Sequence, residues 1–342
     1  MEDSIAESER KIIEILESAG PKGVIQAEIY RTLGLSKSWV SEILSLMEKR
    51  GLIVRTRGPG KTLVVKLSKY ADPASGRTIV VGLVPSIEYL PLPIMMKKLE
   101  DQGYRVEPSL RRSVVDVAIG FMRGEFHIAY LPIYTLAVMR QFGAGFKILG
   151  AVALGGASIV GHRVPDVDKI FTSMLSTMEV LAMAYLRTHG LDNTYTKYYR
   201  DPKDIVETIS KDHRSVAVLW EPYSLIAETE GLRRTPLSSI IGDYHCCLLI
   251  ARENMHPDII ELIARAHRES IETLGRNMET ASQIFSRIVG IEPHIIVRAS
   301  SEYKYTYHID KGLLRNIASH AKGPLTNIEI LENIVSQDTI NA

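Results

Sequence analysis

Residues 36–69, SKSWVSEILSLMEKRGLIVRTRGPGKTLVVKLSK, carry two local patterns in succession. Val40, Ile43, Leu44 and Met47 recur at three- and four-residue spacing, which predicts a helix with Ser36 as its N-cap. Gly51 supplies the stop. Two apolar runs, 52–54 and 63–67, then flank Arg57-Gly58-Pro59-Gly60-Lys61, so a hairpin with a basic, glycine-rich tip is expected. Over residues 37–69 eight Lys/Arg face two acids, a balance of +6, whereas the whole chain sums to +1. The remainder is therefore slightly acidic, the asymmetry of a polyanion-binding end on a neutral body.

Upstream, residues 4–19 carry Ile5, Ile12, Ile13, Ile15 and Leu16 on one stripe, a first helix closed by Gly20-Pro21-Lys22-Gly23. Residues 24–33 read as a shorter second helix, and Gly34-Leu35-Ser36 as a turn. Helix, helix, turn, helix, hairpin is the winged helix order. Residues 1–70 resemble the winged helix-turn-helix domain of archaeal and bacterial transcription regulators. The resemblance implies double-stranded DNA as partner. It implies major-groove contacts from Ser36, Lys37, Ser38, Trp39, Ser41 and Glu42, with wing contacts from Arg55, Arg57 and Lys61. Trp39 fits a core position as well as a base contact, Glu42 fits a solvated helix position, and a winged helix can also dock protein.

The 342-residue length predicts two or three domains. The N-terminus, MEDSIAESERK, lacks the apolar core of a secretory signal, and no run of 18 apolar residues occurs. A cytoplasmic protein without a membrane partner is expected. The two cysteines, Cys246 and Cys247, are adjacent, which suits neither a disulfide nor an unsupported zinc site. They read as buried strand residues, and no metal or cofactor is expected.

Residues 71–77 lack periodicity and read as a linker. Beyond them strands alternate with helices. Strands are expected at 78–84, 104–108, 126–130, 146–153 and 158–164, with helices at 91–103, 113–123 and 131–142. A second unit places strands at 170–172, 195–199 and 215–220 and helices at 177–189, 202–209 and 222–229. Residues 244–251 form a strand that can return to the first unit, and helices at 257–275, 279–289, 311–321 and 327–335 follow. Such alternation argues for parallel sheets flanked by helices.

The succession GLVPSIEYLPL (82–92), GYRVEPS (103–109), FMRGEFHIAYLPIYTL (121–136), FKILGAVALGGASIVG (146–161), FTSMLSTMEVLAMAYLRTHGLD (171–192) and SVAVLWEPYSLIAETEGL (215–232) has a recognisable shape. With HPDIIELIARAHRESIETLGRNMETASQI (256–284) and YHIDKGLL (307–314), it resembles the periplasmic-binding-protein type II fold, in its sulfonate, nitrate and thiamine-pyrimidine branch. The implied architecture is multidomain: an N-terminal α+β winged helix, then a two-lobed α/β sensor over 78–342. Lobe 1 would span about 78–165 and 244–342, and lobe 2 about 166–243.

Open α/β sheets bind ligands beyond the carboxyl ends of their strands, where helix N-termini favour anions and polar groups. That rule selects Pro85, Ser86, Glu88, Tyr89, Tyr130, Tyr134, Gly155, Gly156 and Ser158 from the first unit. From the second it selects Ser173, Ser176, Thr177, Trp220, Glu221 and Tyr223. The aromatic supply suits a planar ring, and the hydroxyls suit a small anion. Simple capping by Ser173–Thr177, a capping or pairing role for Glu221, and core roles for Tyr130 and Tyr134 remain open. Tyr303, Tyr305 and Tyr307 alternate as in a half-buried strand, and His127, His245 and His294 read as core residues. No Ser-His-Asp spacing, HExxH, P-loop or GxGxxG occurs. The expected function is a dimeric, one-component, ligand-responsive transcription regulator rather than an enzyme. The alternative is an enzyme of cofactor biosynthesis, of thiamine-pyrimidine or menaquinone-pathway type, on the same fold with the winged helix as a docking module.

Overall fold

The computed structural model describes residues 2–58, 60, 62–162, 167–191, 194–320 and 327–340. The chain opens with α1 (Glu2–Ala19), β1 (Val24–Ile25), α2 (Gln26–Leu33), α3 (Lys37–Lys49), β2 (Ile53–Arg57) and β3 (Leu63–Leu67). β2 and β3 form the expected hairpin, Ile53 opposite Leu67 and Arg57 opposite Leu63. Ser36 caps α3 by accepting the Trp39 N–H at 3.2 Å. The stripes of α1, α2 and α3 converge with the hairpin on a core of Ile12, Leu16, Ile29, Val40, Ile43, Leu44, Met47, Ile53 and Val65. One expectation fails here. Residues 24–25 do not begin the second helix but form β1, antiparallel to β3. The cause lies at Gly23, where φ is +69° and a Cβ would stand 2.6 Å from the Val65 carbonyl oxygen. Only glycine permits that approach.

The segment expected as a linker carries a helical turn, α4 (Pro73–Gly76), with Ala71 and Pro73 buried. Next come β4 (Thr78–Leu83), α5 (Leu92–Glu100), β5 (Arg105–Leu110), α6 (Val114–Met122), β6 (Ile128–Pro132), α7 (Ile133–Gln141), β7 (Phe146–Ala151) and β8 (Ala153–Gly155). The second lobe contains β9 (Ala157–Gly161), which pairs with β12 and β13 and so lies outside the first lobe where the sequence reading put it, β10 (Lys169–Ser173), α8 (Thr177–Thr188), β11 (Tyr195–Tyr199), α9 (Pro202–Lys211), β12 (Ser215–Trp220), α10 (Tyr223–Thr229), β13 (Arg233–Pro236) and α11 (Ser238–Ile241). The chain returns through β14 (Cys247–Arg252), α12 (Pro257–Val289), α13 (Pro293–Ser300), β15 (Tyr303–Tyr305), α14 (Lys311–His320) and α15 (Ile328–Asp338).

Two five-stranded sheets result, ordered β5-β4-β6-β14-β7 and β11-β10-β12-β9-β13. Neither is wholly parallel, contrary to the alternation argument. β14 runs against β6 and β7, and β9 runs against β12 and β13. Both follow a crossing between lobes, so each enters its sheet from the cleft end, opposite to the strands fed by crossover helices. The break expected between 275 and 279 is also absent: α12 is one 33-residue helix. A single glycine costs only about 1 kcal/mol in a helix. The continuous buried face from Ile259 to Phe285 outweighs it.

Candidate functional sites: the interlobe cleft and the winged-helix face

The two sheets present strand ends to a common cleft. After β4 the backbone turns at Ser86, which accepts the Glu88 N–H at 3.3 Å and lies 3.3 Å from the Tyr303 hydroxyl. Glu88 points inward and takes the Cys247 backbone N–H at 2.9 Å. Burial pushes its carboxyl up to about 7, against the pull of that N–H and of the two thiols. Tyr89 stacks on Tyr130 at 4.4 Å and brings its hydroxyl to 3.2 Å from the Cys247 sulfur. From lobe 2, Ser176 caps α8 through the Met178 N–H at 3.1 Å. Thr177 donates across the cleft to the Cys246 carbonyl at 3.0 Å.

The lobes are drawn together. The Trp220 indole N–H donates to Pro85 O at 2.9 Å, and the Ile87 N–H donates to Glu221 O at 3.1 Å. At the rim Arg200 pairs with Asp116 at 2.9 Å. Between them lies a cavity of about 20 Å³. Ser86, Glu88, Tyr89, Ser176, Thr177 and Trp220 line it, as do Cys246 and Cys247, which the sequence offered only as buried strand residues.

The other sequence candidates stand back from this cavity. Tyr130 lies behind Tyr89, and both Tyr130 and Tyr134 bury hydroxyls that find no hydrogen-bond partner among the described residues. Gly156 makes room for the Tyr303 ring, which a Cβ would meet at 1.8 Å. Ser158 accepts from Arg234 at 3.3 Å, and the Ser173 carbonyl accepts from Ser176 at 2.6 Å. Glu221 is wholly buried, paired with Arg234 at 3.0 Å and taking the Leu225 N–H at 3.1 Å. Burial raises its carboxyl to about 7, opposed by Ser224 and Arg234. Tyr223 packs edge-on against Trp220 at 5.8 Å. The histidine expectation needs one correction: His127 and His245 are buried, but His294 is exposed on α13, and His267 is buried as well, its Nε2 at 2.8 Å from Ala151 O.

On the winged helix, Ser36, Lys37, Ser38 and Glu42 are exposed along the start of α3, and Arg57 is exposed at the end of β2. Trp39 and Ser41 are half-buried, with Trp39 packed on the domain core. Arg55 is held inward: its Nε donates to Glu48 at 2.9 Å and its Nη2 to Glu48 at 2.6 Å. Lys61 lies outside the described residues.

A junction joins the two regions. The Val80 N–H donates to His127 Nδ1 at 2.9 Å, which leaves Nε2–H to donate to Ala71 O at 2.7 Å. Arg252, the last residue of β14, donates its N–H to His127 O at 3.0 Å. Arg252 also shares a cavity of about 250 Å³ with Thr56 and Lys66 of the hairpin.

Comparison with known proteins separates the same two parts. Residues 11–61 match the model of the MarR family. The chain is similar in fold to the ligand-binding component of an ABC-type import system from Staphylococcus aureus with zinc bound, at 15% identity and a TM-score of 0.63, over 73% of this chain and 97% of that one. It is similar to the periplasmic nitrate-binding protein NrtA from Synechocystis at 16% identity and a TM-score of 0.62, over 77% and 86%. It is also similar to the alkanesulfonate-binding protein SsuA from Xanthomonas axonopodis pv. citri bound to MOPS, at 12% identity and a TM-score of 0.58, over 73% and 91%. Comparison with curated proteins returns no match. The chain therefore carries a segment that matches the MarR family model within its winged helix, together with a two-lobed fold similar to that of these solute-binding proteins. Among the described residues no helix is long and apolar enough to cross a membrane.

Proposed function

We propose that the protein is a one-component transcription regulator: residues 1–70 bind double-stranded DNA, residues 71–77 connect, and residues 78–342 sense a small molecule between two lobes. The reading is of a cytoplasmic binding protein rather than an enzyme, since the winged helix and the neighbouring folds are both binders. The observation that carries it is the course of β14. Its first residue, Cys247, lines the cleft, and its last, Arg252, meets His127 and the cavity beside the wing hairpin. A ligand that binds one lobe arrangement better than the other therefore changes what the winged helix rests on.

In this reading Ser36, Lys37, Ser38, Trp39 and Ser41 face the major groove, and Arg57 and Lys61 reach phosphates. Paired half-sites call for a homodimer. Nitrate and alkanesulfonates, the ligands of two neighbours, are the first compounds to screen. Each would need the lobes to part, because about 20 Å³ holds little more than one water.

The test is fluorescence anisotropy of the full chain on DNA from upstream of its own gene, at two salt concentrations. Binding tighter there than on random DNA, and steeply weakened by salt, is the expected result. No binding at low salt would make the winged helix a docking module and put the cofactor-biosynthesis enzyme first.

A further inference from the structure

We infer that Glu88, Cys246 and Cys247 form a site for one thiophilic divalent metal ion of the zinc class, and that this ion is the effector on which the cleft closes. The second half rests on the regulator reading above; the first does not. The ligand atoms of these three side chains lie within 4.8 Å of one another. They are 1%, 7% and 3% exposed, and Glu88 reaches Cys247 from a turn 159 residues away.

The spacing fits the ion. The two sulfurs stand 3.7 Å apart. Two thiolates on a tetrahedral zinc, each at about 2.3 Å, are about 3.8 Å apart. The Cys247 N–H, 2.9 Å from the Glu88 carboxylate, fixes that oxygen beside the sulfurs, as outer hydrogen bonds orient metal ligands elsewhere. Closing all three onto one ion takes roughly 1 Å of adjustment. A disulfide fits less well, because neighbouring Cα atoms are about 3.8 Å apart and a bridge prefers about 4.4–6.8 Å.

Size and charge agree. With the lobes as they stand, the cavity of about 20 Å³ has room for an ion and none for a ring or a sulfonate. No Lys, Arg or His lines it among the described residues, so an anion placed there would have no counter-charge. A cation would find three groups that become anionic by losing protons to solvent. Three protein ligands leave a fourth position for a water.

The test uses the full-length, reduced, metal-free protein, titrated anaerobically with Co2+ and then with Zn2+. One equivalent of Co2+ should give a thiolate-to-cobalt charge-transfer band and tetrahedral d–d bands, all removed by one equivalent of Zn2+. Cys246→Ser and Cys247→Ser should each cut the charge-transfer band by at least half, and the double serine variant should abolish it. Glu88→Gln should weaken Zn2+ binding by at least about 10- to 100-fold, the loss that even supporting groups cause. Absence of the band in the unmodified protein, its survival in the double serine variant, or an undiminished band in either single variant overturns the site whether or not the variants fold perfectly. The effector role is read by DNA anisotropy with and without Zn2+. A change of at least about fivefold, lost in Cys246→Ser, supports it. DNA binding indifferent to saturating Zn2+ removes the effector role and leaves regulator and site intact. No DNA binding in either state removes the regulator reading and leaves the metal site.

Discussion

At the start of α3, Ser36, Lys37 and Ser38 stand in solvent, while in the cleft Glu88, Cys246 and Cys247 are almost wholly buried. The winged helix also has a hydrophobic cluster separate from that of the two lobes. One region keeps its polar groups hydrated and a short stretch of chain specifies its shape. The other removes ionisable groups from water and assembles them from segments far apart. Surface sites tolerate weak pairing because water screens them, whereas a buried site must satisfy each group or hold it neutral. The raised carboxyl of Glu88 is the second outcome.

That contrast can be broken by experiment. Trp220→Ala removes a buried ring and the indole bond to Pro85, and should cost about 3–5 kcal/mol. Chemical denaturation should show the loss in the sensor while the winged helix transition stays in place. A shift of both would mean that the two cores unfold as one.

His127 gives the pH arm. Burial holds its folded pKa at about 4, against 6.5 when solvated. Its stabilisation is present above pH 6.5 and is lost as pH falls toward 4, by about 3 kcal/mol. His127→Gln should flatten the stability profile over that window. An unchanged slope would assign the acid sensitivity to other buried groups.

Smaller effects belong to the exposed side. Ser36→Ala should cost about 1 kcal/mol through the lost cap, measured as thermal stability of the winged helix transition. Arg57→Ala should lower the slope of log affinity for DNA against log salt by about one unit. Arg55→Ala should leave that slope unchanged, since Glu48 already holds the guanidinium. Arg200→Ala, at the exposed rim, should not move stability measurably. If it widens the cleft in solution scattering, the Asp116 pair is a latch rather than a surface contact.

The winged helix was legible because its signals are local. The cap at Ser36, the stripe from Val40 to Met47 and the hairpin at 57–61 each fall within a few residues. Even there, β1 was missed, since its pairing with β3 is some 40 residues distant. In the lobes the strand-end rule found Ser86, Glu88, Tyr89, Ser176, Thr177 and Trp220. It passed over Cys246 and Cys247 because it searches the ends of strands, whereas this antiparallel strand meets the cleft at its beginning. It also gathered Tyr130, Gly156 and Glu221, which in this structure stack behind Tyr89, leave space for the Tyr303 ring and pair with Arg234. Proximity along the chain does not distinguish lining a cavity from supporting its wall.

The interior place of β14 between β6 and β7 has a consequence for motion. Ladder bonds on both edges prevent the strand from sliding without breaking two rows at once. Its amides from Leu248 to Ala251 should exchange with deuterium among the slowest in the molecule, whatever occupies the cleft. On the regulator reading the strand is then the fixed part, and any movement between cleft and winged helix has to fall on the segments fastened to its two ends.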